Sequence, residues 1–367
     1  MAEDQASAPA LKEIFNRERF RNIAGEAEAV SPAFDRKRFL AVATKDLDDL
    51  SIMQRLRQGA EALHAALPLP YEQVLPVLNE LAPRIGHNFA SMILPEYVAL
   101  YGRDHFDLSM QALAFFTRFG SSEFAVRHFL LDDQERALGV MRGWAKDQNE
   151  HVRRLASEGS RPRLPWSFQL KALIDDPSPA LPILQTLRAD SSLYVRKSVA
   201  NHLNDIGKDH PGLLLETLSG WDRGNERTAW IAKHALRTLI KKGDANALAL
   251  VGASGAAEVR IDGFAVTPGA VTLGAHVAII GEIVSTSKKD QRLVADYAVY
   301  YVKKNGAPSR KVFKLKEFDL PAGARQPLSI KRAIRDFTTR KHYPGHHRVE
   351  LMVNGKVLAE GGFDLEG

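Results

Sequence analysis

Three acidic side chains sit in segments where they could act on a substrate: Glu123 in FGSSEFAVRHF, Glu158 in HVRRLASEG and Asp205 in VANHLNDI. A fixed carboxylate can stabilise a positive charge that develops during a reaction, or it can orient and deprotonate a water. Around Glu158 lie Arg154, Arg161 and Arg163, and Lys197 carries basic character into the next segment. Trp166 follows Pro165 at a turn, where an indole can be fixed and exposed, although an ordinary core position suits it equally well. Each carboxylate taken singly reads more simply as a solvent-facing helix residue. Together, cations for phosphates, carboxylates for a developing cation and a flat apolar surface suit a nucleic acid.

These residues need a scaffold that brings distant segments together. From about Ala10 to Ala249 apolar residues recur at three- and four-residue spacing, as in LSIMQRLRQGAEALHAAL and YEQVLPVLNELAPRI, with breaks at Asp175-Asp176-Pro177-Ser178-Pro179 and Lys208-Asp209-His210-Pro211-Gly212. A Val-Arg-basic step falls five residues after Asp147 and again five residues after Asp190. Val152, Val195 and Ile231 occupy equivalent places in EHVRRLA, LYVRKSV and AWIAKHA, at a period close to that of HEAT-type helix pairs. This predicts a helical-repeat solenoid whose concave face could gather Glu123, Glu158 and Asp205, with the basic side chains along one edge.

Near Gly252 the pattern changes. Short runs rich in Val, Ile and Tyr follow, namely HVAIIGEIV, VADYAVYYV, KVFKLKEF, PLSIKRAI and HRVELMV, with hairpin signals at Asn305-Gly306 and Asn354-Gly355. About seven strands in about a hundred residues suggest an immunoglobulin-like β-sandwich. The expected fold is therefore mainly α, a HEAT-like solenoid over residues 1–255 followed by a sandwich over residues 260–367 that serves as a DNA clamp. KHYPGHHR reads as a solvated basic loop rather than a metal site, because no carboxylate or cysteine completes it.

Composition narrows the class. The chain has 367 residues, is 45% hydrophobic and 26% charged, and contains no cysteine, which excludes thiolate metal sites and cysteine catalysis. From Arg260 onward there are 18 Lys and Arg against 11 Asp and Glu, so the net charge of +6 resides almost entirely in the C-terminal part. Such a distribution suits a polyanion held from two sides, or serves solubility alone. No run approaches the length of a membrane span, and the acidic MAEDQASAPALKEIF opening lacks a signal core, so a cytoplasmic protein is expected. Walker A, HExxH and GxSxG motifs are absent.

On ALKEIFNRERF, FGSSEFAVRHF, HVRRLASEGSRPRLPW and YVRKSVANHLNDIGKDHP, the chain resembles the AlkC branch of bacterial DNA alkylation repair glycosylases, related to the AlkD branch, over essentially its whole length. The resemblance implies a monofunctional glycosylase that removes N3-methylated bases from double-stranded DNA, chiefly 3-methyladenine with 3-methylcytosine as a second base, without swinging the base into a deep pocket. It implies Glu158 as the essential carboxylate with Glu123 and Asp205 as companions, and Arg154, Arg161, Trp166 and Lys197 facing DNA. No cofactor or metal is expected, and a monomer is. Two other readings stay open: a HEAT scaffold that binds DNA or protein without catalysis, and a nuclease, for which the acids are too spread.

Overall fold

A computed structural model describes residues 11–253, 257–337 and 341–367; Arg340, which with Lys341 and His342 would form a sandwich loop able to reach a DNA groove in the expected clamp, lies outside them. Among these residues no helix is long and apolar enough to cross a membrane. The chain folds as two compact units, residues 1–209 and 210–367. The fold is mainly α, a HEAT-like helical repeat followed by an immunoglobulin-like sandwich.

The predicted period corresponds to real repeats. Val152, Val195 and Ile231 are each fully buried, in helices Glu150–Gly159, Leu193–Asp209 and Glu226–Ala235. Ahead of each helix an aspartate carboxylate accepts the amide two residues on: Asp147 from Asn149, Asp190 from Ser192 and Asp222 from Gly224. This local turn competes with helix and sets where the helix starts. The Val-Arg spacing has the same origin. Arg153 donates to the carbonyls of Asp147 and Gln148, and Arg196 donates in the same way to those of Asp190 and Ser191. Arg153 also grips both oxygens of Asp190, at 2.7 and 3.1 Å, tying one repeat to the next.

In the second unit, helices Pro211–Ser219, Glu226–Ala235, Arg237–Lys242 and Ala245–Leu250 share a compact body with eight strands: β1 (Val259–Thr267), β2 (Ala270–Val271), β3 (His276–Ser285), β4 (Gln291–Val302), β5 (Pro308–Leu320), β6 (Arg325–Ala333), β7 (Gly345–Val353) and β8 (Lys356–Leu365). One sheet has the order β1-β3-β6 and the other β2-β8-β7-β4-β5, antiparallel except for the β2–β8 pair. The unbroken buried run in β4 has a simple cause. Leu293, Ala295, Tyr297 and Val299 face the sandwich core, while Val294 and Asp296 face a small cavity walled by Lys233, Ile240 and Lys241 from the helices, so both faces are covered.

Two sequence expectations change here. Helix gives way to strand between Leu250 and Val259, around the expected change near Gly252, within a compact unit that begins at His210. At Asn354-Gly355 both residues have positive φ, 47° and 76°, as a two-residue primed turn requires. At Asn305-Gly306 only the glycine does, because five residues separate the paired ends Val302 and Pro308 and a longer turn can form. KHYPGHHR is not wholly a solvated loop: Gly345 begins β7, and His347 is fully buried, stacked on Phe363 at 5.0 Å.

Candidate active site

Three segments of the first unit bring the candidate carboxylates together. Glu123 lies between helices Phe106–Phe116 and Val126–Asp132, Glu158 in the last turn of Glu150–Gly159, and Asp205 in the last turn but one of Leu193–Asp209. Close approach of the first two segments depends on Gly159. A Cβ there would sit 2.4 Å from the Val126 Cγ1, so a larger residue would force the helices apart.

The acids and bases form one alternating chain. Glu123 pairs with Arg154, which is 3.5 Å from Glu158. Arg161 donates through Nη1 to Glu158 Oε1 at 2.7 Å and through Nε to Asp205 Oδ2 at 2.8 Å, and Lys208 donates to Asp205 Oδ1 at 2.7 Å. Ser121 Oγ donates to Glu123 Oε2 at 2.7 Å and accepts from Arg154 at 2.9 Å. Glu158, Arg161 and Asp205 are buried, at 6%, 7% and 1% exposure. Burial pushes both guanidinium groups down, but the surrounding carboxylates outweigh it and leave Arg154 and Arg161 above their ordinary pKa.

The expected open strip of cations is thus an interior ion-pair network where Arg154 and Arg161 are concerned. A buried charge without a partner is costly, so the two arginines turn inward to the acids. Arg163 lies further out, bidentate on Asp209 at 2.8 and 2.9 Å. Lys197 is exposed on the helix that carries Asp205. Trp166 is 60% exposed at a backbone φ of +66°, its ring edge-on to Phe89 at 6.4 Å, which settles the choice between core and surface.

The two ion pairs to Glu158 both use Oε1. Among the described residues Oε2 has no hydrogen-bond donor, and neither has Glu123 Oε1, whereas both oxygens of Asp205 are occupied. Beside Glu123 and Arg154 opens a cleft of about 350 Å³ walled also by Phe89, Phe119, His151 and Tyr194. The Tyr194 ring lies 4.9 Å from the Arg154 guanidinium carbon.

Several residues of this arrangement were missed by sequence reasoning. Tyr194 and Ser121 lie within quoted motifs but carry no spacing signal. Arg127 is fully buried, and its guanidinium donates to the carbonyls of Gly159, Arg161 and Phe168. An arginine beside Val126, Phe129 and Leu130 on a core-facing helix is the one trace available in the sequence. His202, also fully buried, places Nδ1 2.9 Å from the Ser157 carbonyl, and burial pushes its pKa down to about 4.

A helical repeat that gathers carboxylates interleaved with arginines, followed by an immunoglobulin-like sandwich, defines the architecture of a DNA alkylation repair protein. A family model described as DNA alkylation repair enzyme matches residues 116–239, and one described as the C-terminal Ig-like domain of the uncharacterised protein YhaZ matches residues 260–367. The alkylpurine DNA glycosylase AlkC of Pseudomonas fluorescens, solved bound to DNA containing an abasic site analog, is 56% identical, with a TM-score of 0.95 over 98% of this chain and 100% of that one. The uncharacterized protein YhaZ of Bacillus subtilis is 41% identical over 95% of this chain and 97% of its own length. The chain belongs to the AlkC family of DNA alkylation repair proteins.

Proposed function

We propose that this protein is a monofunctional DNA glycosylase that hydrolyses the N-glycosidic bond of cationic N3-alkylated bases in duplex DNA, 3-methyladenine foremost and 3-methylcytosine second, and leaves an abasic site. The observation that carries this reading is the free Oε2 of an otherwise pinned Glu158. A base that already bears positive charge departs without a general acid. The sugar becomes oxocarbenium-like as the C1′–N bond breaks, and a carboxylate oxygen held rigidly beside it favours that state over the ground state. Arg154 and Arg161 keep Glu158 in place through Oε1, so orientation costs little when the bond breaks.

Glu123, with Oε1 unengaged at the edge of the cleft, is the better placed of the other two acids to orient the attacking water. Asp205 acts through Arg161. Exposed Trp166 packs on the deoxyribose or the opened stack, while Arg163 and Lys197 serve the phosphates. The surplus positive charge of residues 260–367 supports a DNA clamp, which adds affinity without sequence preference.

The test is release of free methylated base from duplex DNA containing 3-methyladenine, without added metal, in single turnover. Wild-type protein is expected to release it with no strand scission, and Glu158→Gln to be slower by about 10² to 10³-fold. DNA affinity without base release would show a scaffold, and scission dependent on magnesium a nuclease.

A further inference from the structure

We propose that Arg127 is a positioning residue for excision, a buried splint that closes the turn between residues 159 and 168 and so fixes Glu158 and Trp166 relative to each other. This inference rests on the glycosylase reading for its kinetic arm alone. The turn contains Pro162 and Pro165 and forms no helix or strand between Gly159 and Phe168. Its carbonyls therefore lack the ladder that regular structure supplies. One guanidinium collects three of them: Nη1 donates to Gly159 O at 3.1 Å and to Arg161 O at 2.6 Å, and Nη2 to Phe168 O at 2.5 Å. The first acceptor adjoins Glu158 at the helix C-terminus, where a cation is favoured. The last lies two residues beyond Trp166, and the Phe168 ring covers the guanidinium carbon at 5.4 Å.

Arg127 has no ion-pair partner of its own among the described residues, and burial together with Arg161 brings its pKa down to about 10. A buried cation that neutralises no single acid needs another reason to be present, and three carbonyls drawn from a ten-residue span supply it. The planar fork matters: five N–H groups in fixed directions can hold acceptors on two sides at once, whereas a lysine ammonium at the end of a flexible stem cannot reproduce that geometry. Close packing at Gly159 is what lets the splint reach its first acceptor.

The experiment compares wild type, Arg127→Lys and Arg127→Gln in the full-length protein, measuring single-turnover release of 3-methyladenine, affinity for undamaged duplex and amide exchange in peptides spanning residues 157–170. Both variants are expected to release base at least 30-fold more slowly while undamaged-duplex affinity stays within threefold. Exchange in the 157–170 peptides is expected to rise at least tenfold, with little change elsewhere in residues 11–209. Where the glutamine variant does not fold, the lysine variant, which keeps the charge, carries the comparison. Unchanged exchange in residues 157–170 overturns the splint, as does a rate within threefold of wild type or a parallel fall of rate and affinity. If wild-type protein releases no methylated base, the glycosylase reading fails, and the exchange comparison alone decides whether Arg127 closes the turn.

Discussion

Trp166 shows how a single residue can be set for function against its own stability. A left-handed backbone costs a residue with a side chain about 1–2 kcal/mol, and a mostly exposed indole recovers little by packing. Trp166→Gly is therefore expected to leave thermal stability within about 1 kcal/mol of wild type, since relief of strain offsets the flexibility glycine adds, while excision falls at least tenfold. His202 gives the complementary case. Unfolded, it takes up a proton below about 6.5; folded, it resists until about 4, so acid favours the unfolded chain. Stability is complete above pH 6.5 and falls by about 3 kcal/mol as pH drops toward 4. Denaturant melts of residues 1–209 across that range should show this decline, and a His202→Gln variant that folds should show a shallower one. Glu158, Glu123 and Asp205 were legible as candidates because a carboxylate is visible by type. The pairing of Glu123 with Arg154 and of Asp205 with Arg161, 31 and 44 residues apart, was not, because an ion pair formed across a fold leaves no mark on spacing.

At the scale of elements, much could be read from the sequence, and for a physical reason. The Asp, Val and Arg of each repeat are bound to one another through local turns and helix starts, so their spacing is forced and recurs. Arg153, which in the sequence joins the cationic motif, serves this scaffold instead: with Asp190 it forms a largely buried pair whose side chains are 15% and 6% exposed. Asp190→Ala removes that pair and the acceptor of the Ser192 amide, and about 3 kcal/mol of stability should be lost, measurable by denaturant titration. β8 escaped the strand pattern because Gly361-Gly362 interrupts KVLAEGGFDL, even though antiparallel pairing with β7 runs from Gly345 to Val353. Arg127 shows in the pattern only as a cation among apolar neighbours, and its role does not show, since its acceptors are backbone groups of a turn without periodicity.

Across the whole molecule one buried group in each compact unit responds to acid in the opposite direction to the other, Asp296 in the second and His202 in the first. Asp296 is buried at 3% exposure, and burial raises its pKa to about 6, so the folded second unit holds a proton that the unfolded chain keeps only below about 3.8. Its stability is lost as pH rises through that window, by about 3 kcal/mol, whereas the first unit gains through His202 over nearly the same range. Asp296→Asn should raise the transition of residues 210–367 at neutral pH, and calorimetry of variant and wild type is expected to show that gain shrink as pH falls to 5. Sequence reasoning placed the change of texture correctly, but a change from helix to strand is a local property, and a compact unit is defined by what packs on what.

The meeting of Gly243 with Gly355 has a consequence for any recombinant exchange of parts. A Cβ on Gly355 would sit 2.1 Å from the Gly243 Cα, and Lys233 Nζ lies 2.7 Å from Glu317, so the tip of the β7–β8 hairpin and the preceding helices fit like a key and its lock. A chimera spliced at residue 257 would graft a foreign sandwich onto helices shaped for another, and would need glycine at both positions to seat. Splicing at residue 210 carries the matched halves together, so that transplant should express as a soluble, cooperatively melting product where the shorter graft does not.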